Sequence, residues 1–409
     1  MAMSRTLTAR FLFTAEGIVE YPVLTLTQDG TIAEIHSDPA RVAQETTVLT
    51  ACLFDIHNHG AKGVDVMNSD LQGFRKMQAF LAQHGVAYYL PTTVTAPVDF
   101  TLQALEAMAD AIEAPRREGE AQPIGIHIEG PFLSHLKRGM HPDRYLQRPS
   151  IELFERFQTA ARGHIRLMTI APEPNAIASG SSSDAESVNS FSSLPQHSAL
   201  ELIAYATERG VRCSIGHTNA TAAETLAAIE AGAVSATHTF NAMRPLDHRE
   251  PGVLGTVLDD TRIFADLICD GVHVAPPLVR LWLKAKDATR GILITDALSA
   301  TGMPDGDYIV GDAMVTVCGS RALVAEDLSC GKQTLAGSVL TLEQAMANLQ
   351  RFTGCSLAEA NRLASHNPAE MLGRPELTAL SPGSAATLNR FDTDGRLIAT
   401  YLRGRSVQV

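Results

Sequence analysis

The sequence predicts an α/β protein, a parallel (β/α)8 TIM-like barrel with a small β-sandwich domain built from both termini. Three observations carry this prediction. Eight short apolar runs of strand character follow one another between residues 50 and 300. Helical patterns separate several of them. The two ends of the chain carry alternating, turn-punctuated segments of a different kind.

The runs are "CLFDIH" (52–57), "YYLPTTV" (88–94), "IGIHIEG" (124–130), "IRLMTIAP" (165–172), "VRCSIGH" (211–217), "VSATHTF" (234–240), "FADLICDG" (264–271) and "ILITDA" (292–297). Leu71, Phe74, Met77 and Leu81 recur at helical spacing after the first run. "TAAE" at 221–224 reads as a capping box that opens an alanine-rich helix. Alternation repeated eight times favours a closed barrel over an open sheet. Residues 1–48 contain "YPVLTLTQDGTIAEI", with Asp29-Gly30 as a hairpin signal, and residues 378–409 contain "AATLNRF" and "RLIATYLRG". Each end is too small to fold alone, so both are assigned to one β domain, with 49–377 as the barrel. Residues 308–324 read as a hairpin inserted after the eighth strand. The Ser-rich segment 175–193 reads as a surface loop without a function of its own.

Composition narrows the class. A chain of 409 residues, 45% hydrophobic, buries a large core. Lys+Arg 33 against Asp+Glu 45 gives a net charge of −12, with no basic stripe or arginine-rich block, so no nucleic-acid partner is expected. The apolar run near the N-terminus is too short for a signal peptide, and no stretch is long enough to span a bilayer. The six cysteines show no C-x-x-C and no framework spacing. Cytoplasmic localisation, with no membrane partner, is the expectation.

The ionisable residues sit where barrel chemistry sits. "FDIHNHG" places Asp55, His57 and His59 at alternate positions, on one face at the end of the first strand. Two imidazoles one strand-step apart can grip a metal ion. Glu129 ends the third strand, His217 the fifth, His238 the sixth and Asp296 the eighth. Active sites of such barrels assemble at the C-terminal strand ends. Any one of these side chains would pass as a satisfied core histidine or a helix-capping carboxylate. Together they need a partner, and a metal ion is the economical one.

Several strings, in order, resemble the amidohydrolase superfamily and within it the N-acetylglucosamine-6-phosphate deacetylase family. They are "DIHNHG" (55–60), "GIHIEGPFLS" with "KRGMHP" (125–142), "APE" (171–173), "GHTNAT" (216–221), "THTFNAM" (237–243), "REPG" (249–252), "DGVHV" (270–274), "TDALSATG" (295–302), "LAGS" (335–338) and "SHNPAEMLG" (365–373). The resemblance implies an amidohydrolase-type barrel and metal-dependent removal of an acetyl group from a phosphorylated amino sugar, in amino-sugar catabolism. It implies that Glu129, His217 and His238 hold the catalytic metal and that Asp296 is the general base. It implies that His141 reaches the acetyl carbonyl or the sugar. Asn241, Ala242, Arg249 and His273, with Leu335, would contact sugar and phosphate, and the protein would be a homodimer. His57 and His59 are both present, so one or two ions per subunit are expected, the second held more weakly. The ligand set suits Zn, Fe, Mn or Co. Competing expectations are the galacto epimer or another N-acylated small molecule as substrate, and a barrel without catalysis.

Overall fold

The computed structural model of the protein describes residues 5–173, 197–311 and 313–407; the Ser-rich segment 175–193 lies outside them. Eight parallel strands succeed one another: β1 (Leu53–Asn58), β2 (Val86–Pro91), β3 (Ile126–Glu129), β4 (Ile165–Ile170), β5 (Arg212–Ile215), β6 (Ala233–Ala236), β7 (Phe264–Ile268) and β8 (Gly291–Ile294). β3 to β8 form one six-stranded sheet in chain order, and β1 pairs with β2 in a second sheet. Parallel bridges Thr92–His127 and Asn58–Ala297 tie the two sheets together at both edges. The result is a curled parallel sheet consistent with the expected TIM-like barrel. Its strands are apolar along nearly their whole length because helices cover the outer face while side chains fill the inner one.

Side chains cap the helices after β1 and β5, the latter by the expected box. α1 (Leu71–Gln83) starts at Asp70, whose carboxylate accepts the Gly73 N–H at 2.8 Å, and buries Phe74, Met77 and Leu81. α2 (Val98–Glu113) leads from β2 toward β3. A helix at Ala222–Glu230, after β5, opens with the Thr221/Glu224 capping box. Several strands end earlier than their apolar runs. The cause is local: His217, His238 and Asp296 adopt φ of +46°, +32° and +52°, which no strand residue can hold.

The termini interleave. A six-stranded sheet runs in the order Arg405–Val407, Leu397–Leu402, Leu388–Phe391, Val48–Ala51, Phe11–Phe13, Ile18–Glu20. Strands Pro22–Leu26 and Ile32–Ser37 pair across the predicted Asp29-Gly30 turn. Leu12, Leu24, Ile32, Leu49 and Leu388 form a core of their own there. Strand Val48–Ala51 straddles position 48/49, because its apolar residues serve this sheet before the chain enters β1. The insert after β8 is a three-stranded antiparallel sheet, Gly306–Val310, Ala313–Cys318 and Arg321–Val324, rather than a hairpin. The tight turn at Gly319 (φ +59°) returns the chain for the third strand. All six cysteines are unpaired thiols. Among the described residues, no helix is long and apolar enough to cross a membrane.

Candidate metal centre and active site

The side chains expected at the strand ends converge on one point. Glu129 stands at the middle. Its Oε2 lies 3.4 Å from His57 Nε2 and 3.3 Å from His59 Nε2. Its Oε1 lies 3.0 Å from His238 Nε2 and 3.3 Å from His217 Nε2. Each carboxylate oxygen therefore serves one histidine pair, and two three-residue groups able to hold an ion share Glu129. Asp296 closes the ring, with Oδ1 3.1 Å from His59 Nε2 and 3.4 Å from His57 Nε2. All six side chains are buried.

The hydrogen bonds behind the rings test whether a cation fits. His59 Nδ1 lies 2.9 Å from the Thr92 carbonyl, and His217 Nδ1 lies 2.9 Å from the Lys137 carbonyl. A carbonyl only accepts, so both Nδ1 atoms carry the proton and both Nε2 lone pairs face Glu129. This is how metal-binding imidazoles are commonly held. Inside each pair the two Nε2 atoms approach to 3.0 Å (His57–His59) and 3.1 Å (His217–His238). Lone pairs brought together so closely in a buried site need a positive charge between them. The electrostatics agree. Burial pulls His59 down, yet hydrogen bonds and charge from Asp296 and Glu129 outweigh it and hold it up at about 10, so the carboxylates draw positive charge to Nε2, either a second proton or a cation that would displace it. Burial would raise Glu129 and Asp296, but the surrounding histidines hold both well below the carboxylate range. A divalent ion suits this donor set.

His127 is the instructive contrast. It lies two residues before Glu129 on β3 and packs its ring 4.7 Å from that of His57. Its Nδ1 donates to the Ile56 carbonyl at 3.2 Å, and its Nε2 accepts from the Thr169 hydroxyl at 2.8 Å. Burial pulls it well below the ordinary histidine value. It is a satisfied, neutral core histidine. The Nδ1 atoms of His57 and His238, by comparison, have no hydrogen-bond partner among the described residues.

His141 has the opposite tautomer from His59 and His217. Its Nδ1 accepts the Thr95 backbone N–H at 3.2 Å, with the Thr95 hydroxyl at 2.8 Å. Its Nε2 therefore carries the proton and points at Glu129, 3.5 Å away. Burial lowers it to about 4, so the ring is a neutral donor. The sequence offered no sign of Thr95, because its partner is 46 residues away.

A cavity of about 210 Å³ opens above this centre, lined by His141, Asn241, Ala242, His273 and Leu335, among others. His273 Nδ1 lies 2.6 Å from Asp270 Oδ2, which fixes its ring, and Asn241 Nδ2 donates to the His238 carbonyl at 3.2 Å. Glu173, the acid of "APE", accepts from the Asn219 N–H at 2.8 Å and from the Thr218 hydroxyl, which pins the loop after His217. Ser338 N–H donates to the Asp296 carbonyl at 2.7 Å, and a Cβ at Gly337 would meet that carbonyl oxygen at 2.9 Å. The "LAGS" loop thus buttresses Asp296 by close backbone contact. Arg249 does not join the group: it is exposed, does not line the cavity, and only its N–H is engaged, by Asp247.

The amidohydrolase family model matches residues 48–407. The chain belongs to the amidohydrolase family. It is a hydrolase, of a family that generally depends on divalent metal. The chain is 34% identical to the N-acetylglucosamine-6-phosphate deacetylase of Bacillus subtilis, across 88% of this chain and 85% of that one. It is also 34% identical to the N-acetylgalactosamine-6-phosphate deacetylase of Escherichia coli O157:H7, across 98% and 99%. A mutant N-acetyl-D-glucosamine-6-phosphate deacetylase from Mycobacterium smegmatis, solved with N-acetyl-D-glucosamine-6-phosphate, superposes with a TM-score of 0.86 at 31% identity over all of both chains.

Proposed function

We propose that this hydrolase removes the acetyl group of N-acetylglucosamine 6-phosphate, giving glucosamine 6-phosphate and acetate. The observation that carries the reading is Glu129 shared between two histidine pairs with Asp296 against them, in a chain similar to deacetylases of amino-sugar phosphates. Glu129, His217 and His238 would hold the catalytic ion, and His57, His59 and Glu129 would offer a further, weaker position. Such an ion, Zn, Fe, Mn or Co, supplies Lewis acidity and lowers the pKa of a water. Asp296, kept ionised by its neighbours, takes the proton of the attacking water and passes it to the departing sugar nitrogen. The Nε2–H of His141 donates to the acetyl oxygen as it gains negative charge. Asn241, the Ala242 backbone, Leu335 and His273 line the space for sugar and phosphate.

The unit from 49–377 acts as the catalytic barrel, with 1–48 and 378–409 as a β-sandwich domain; the second apolar core around Leu12, Leu24, Leu49 and Leu388 supports this, while Phe391 and Val407 join the barrel's core. Arg249, exposed and off the cavity of its own chain, serves the phosphate of a second copy in a homodimer. Cytoplasmic localisation accords with free thiols.

A second reading has its own support: the E. coli galactosamine enzyme is matched over 98% of this chain. One assay separates the two. Acetate release is followed from N-acetylglucosamine 6-phosphate, its galacto epimer and unphosphorylated N-acetylglucosamine, each with and without added Zn²⁺ or Fe²⁺. Metal-dependent release from the first alone is the expected result. Release from the epimer alone would transfer the assignment to the second reading, and no release from any would remove both.

A further inference from the structure

We propose a second ligand site at the barrel floor, where Arg116, Arg117 and Arg403 bind a small phosphate monoester. A cavity of about 270 Å³ lies between the end of α2, the loop leading into β3 and the terminal strands. Ala87 and Tyr88, at the start of β2, and Ala121–Pro123, just ahead of β3, form its barrel side. It is therefore at the N-terminal ends of the strands, opposite the metal centre. That face of such barrels ordinarily serves stability.

The charge balance there is unusual. Five arginines line the cavity, and so do three carboxylates. Each carboxylate already has an arginine: Glu120 has Arg75, Glu118 has Arg405, and Asp29 has Arg403 at 3.8 Å. Among the described residues, Arg116 and Arg117 have no ion-pair partner. Two positive charges are thus left over in a chain of net charge −12.

Solvated surface arginines would be the ordinary explanation, but the segments that bear them are anchored. Arg75 donates to the Pro115 carbonyl at 2.7 Å, immediately ahead of Arg116. Arg403 occupies a turn at φ +50°, and its N–H donates to Thr387 Oγ1 at 3.3 Å. Its carbonyl oxygen sits only 1.8 Å from where a Cβ on Gly30 would lie, so the turn is locked against that glycine.

Guanidinium forks match phosphate oxygens, and a surplus of two charges matches a dianion. The volume falls at the small end of ligand pockets, which fits a sugar phosphate better than a nucleotide. The proposal does not rest on the chemistry assigned to the metal centre.

The test is calorimetric titration of the full-length, metal-loaded protein with glucose 6-phosphate and, separately, inorganic phosphate. The expected wild-type result with glucose 6-phosphate is two binding events per chain. In R116Q/R117Q one of them weakens by about tenfold or more, while R116K/R117K keeps it. Tighter binding of glucose 6-phosphate than of inorganic phosphate assigns the site to sugar phosphates; equal binding assigns it to the phosphate group alone. Identical stoichiometry and affinity in wild type and R116Q/R117Q, for both probes, would overturn the floor site. If the reading of the metal centre fails instead, wild type binds one equivalent and R116Q/R117Q none.

Discussion

The two ends of the barrel treat charge in opposite ways. At the mouth, four imidazoles and two carboxylates face one another, two Nδ1 atoms lack partners, and His217, His238, Phe240, Ala242 and Asp296 all hold positive φ. At the floor, Arg75 and Glu120 form a mostly buried pair, and each carboxylate of the cavity has its arginine. The mouth carries strain and converging lone pairs that a folded chain alone does not need. Among the described residues the floor has one of each, the unpartnered Arg75 Nε and the φ of +50° at Arg403, whereas the mouth concentrates them, and such concentration marks the part of a protein shaped for a ligand rather than for stability. The small excess of cations at the floor is a weaker form of the same signal.

Three substitutions break or sharpen this contrast. The largest effect is expected from Asp296→Asn. Its kcat falls about a thousandfold while metal content, measured by elemental analysis, and the melting temperature stay near wild type. A loss smaller than tenfold would take Asp296 out of proton transfer. Next comes Arg75→Ala at the floor, which strands the largely buried Glu120 carboxylate. Urea denaturation should show a stability loss of about 3 kcal/mol; an unchanged midpoint would mean that water reaches the pair freely and that the floor is not built as described. The smallest is Thr95→Val, which removes one hydroxyl from His141 Nδ1 but keeps the backbone N–H. A drop in kcat of about fivefold, with KM little changed, is expected. No change would mean that the backbone bond alone sets the tautomer.

Much of the mouth was legible in the sequence. Parallel barrel strands are buried on both faces, so they appear as apolar runs, and catalytic side chains stand at the ends of those runs. Reading the polar residue after each run therefore found His57, His59, Glu129, His217, His238 and Asp296. The same reasoning could not separate His127 from them, since a histidine two residues before Glu129 has the same pattern as a ligand. Only the acceptor on one ring nitrogen and the donor on the other identify it as a core residue. Nor did the sequence show the third strand of the insert, or that Arg249 lies away from the cavity of its own chain.

By itself the sequence determined the strand and helix alternation, the β-rich character of both termini and the six side chains that come together at the strand ends. Periodicity and local order encode which way a residue faces, and facing is enough for these. The tertiary structure alone decided the tautomers of His59, His141 and His217, because each depends on a partner supplied by another loop. It also gathered Arg75, Arg116, Arg117, Arg403 and Arg405 from distant parts of the chain into one cavity, although no arginine-rich block exists to announce it. Hydrogen bonds and charge act over a few ångströms of space, and closure of the barrel, rather than spacing along the chain, sets those distances.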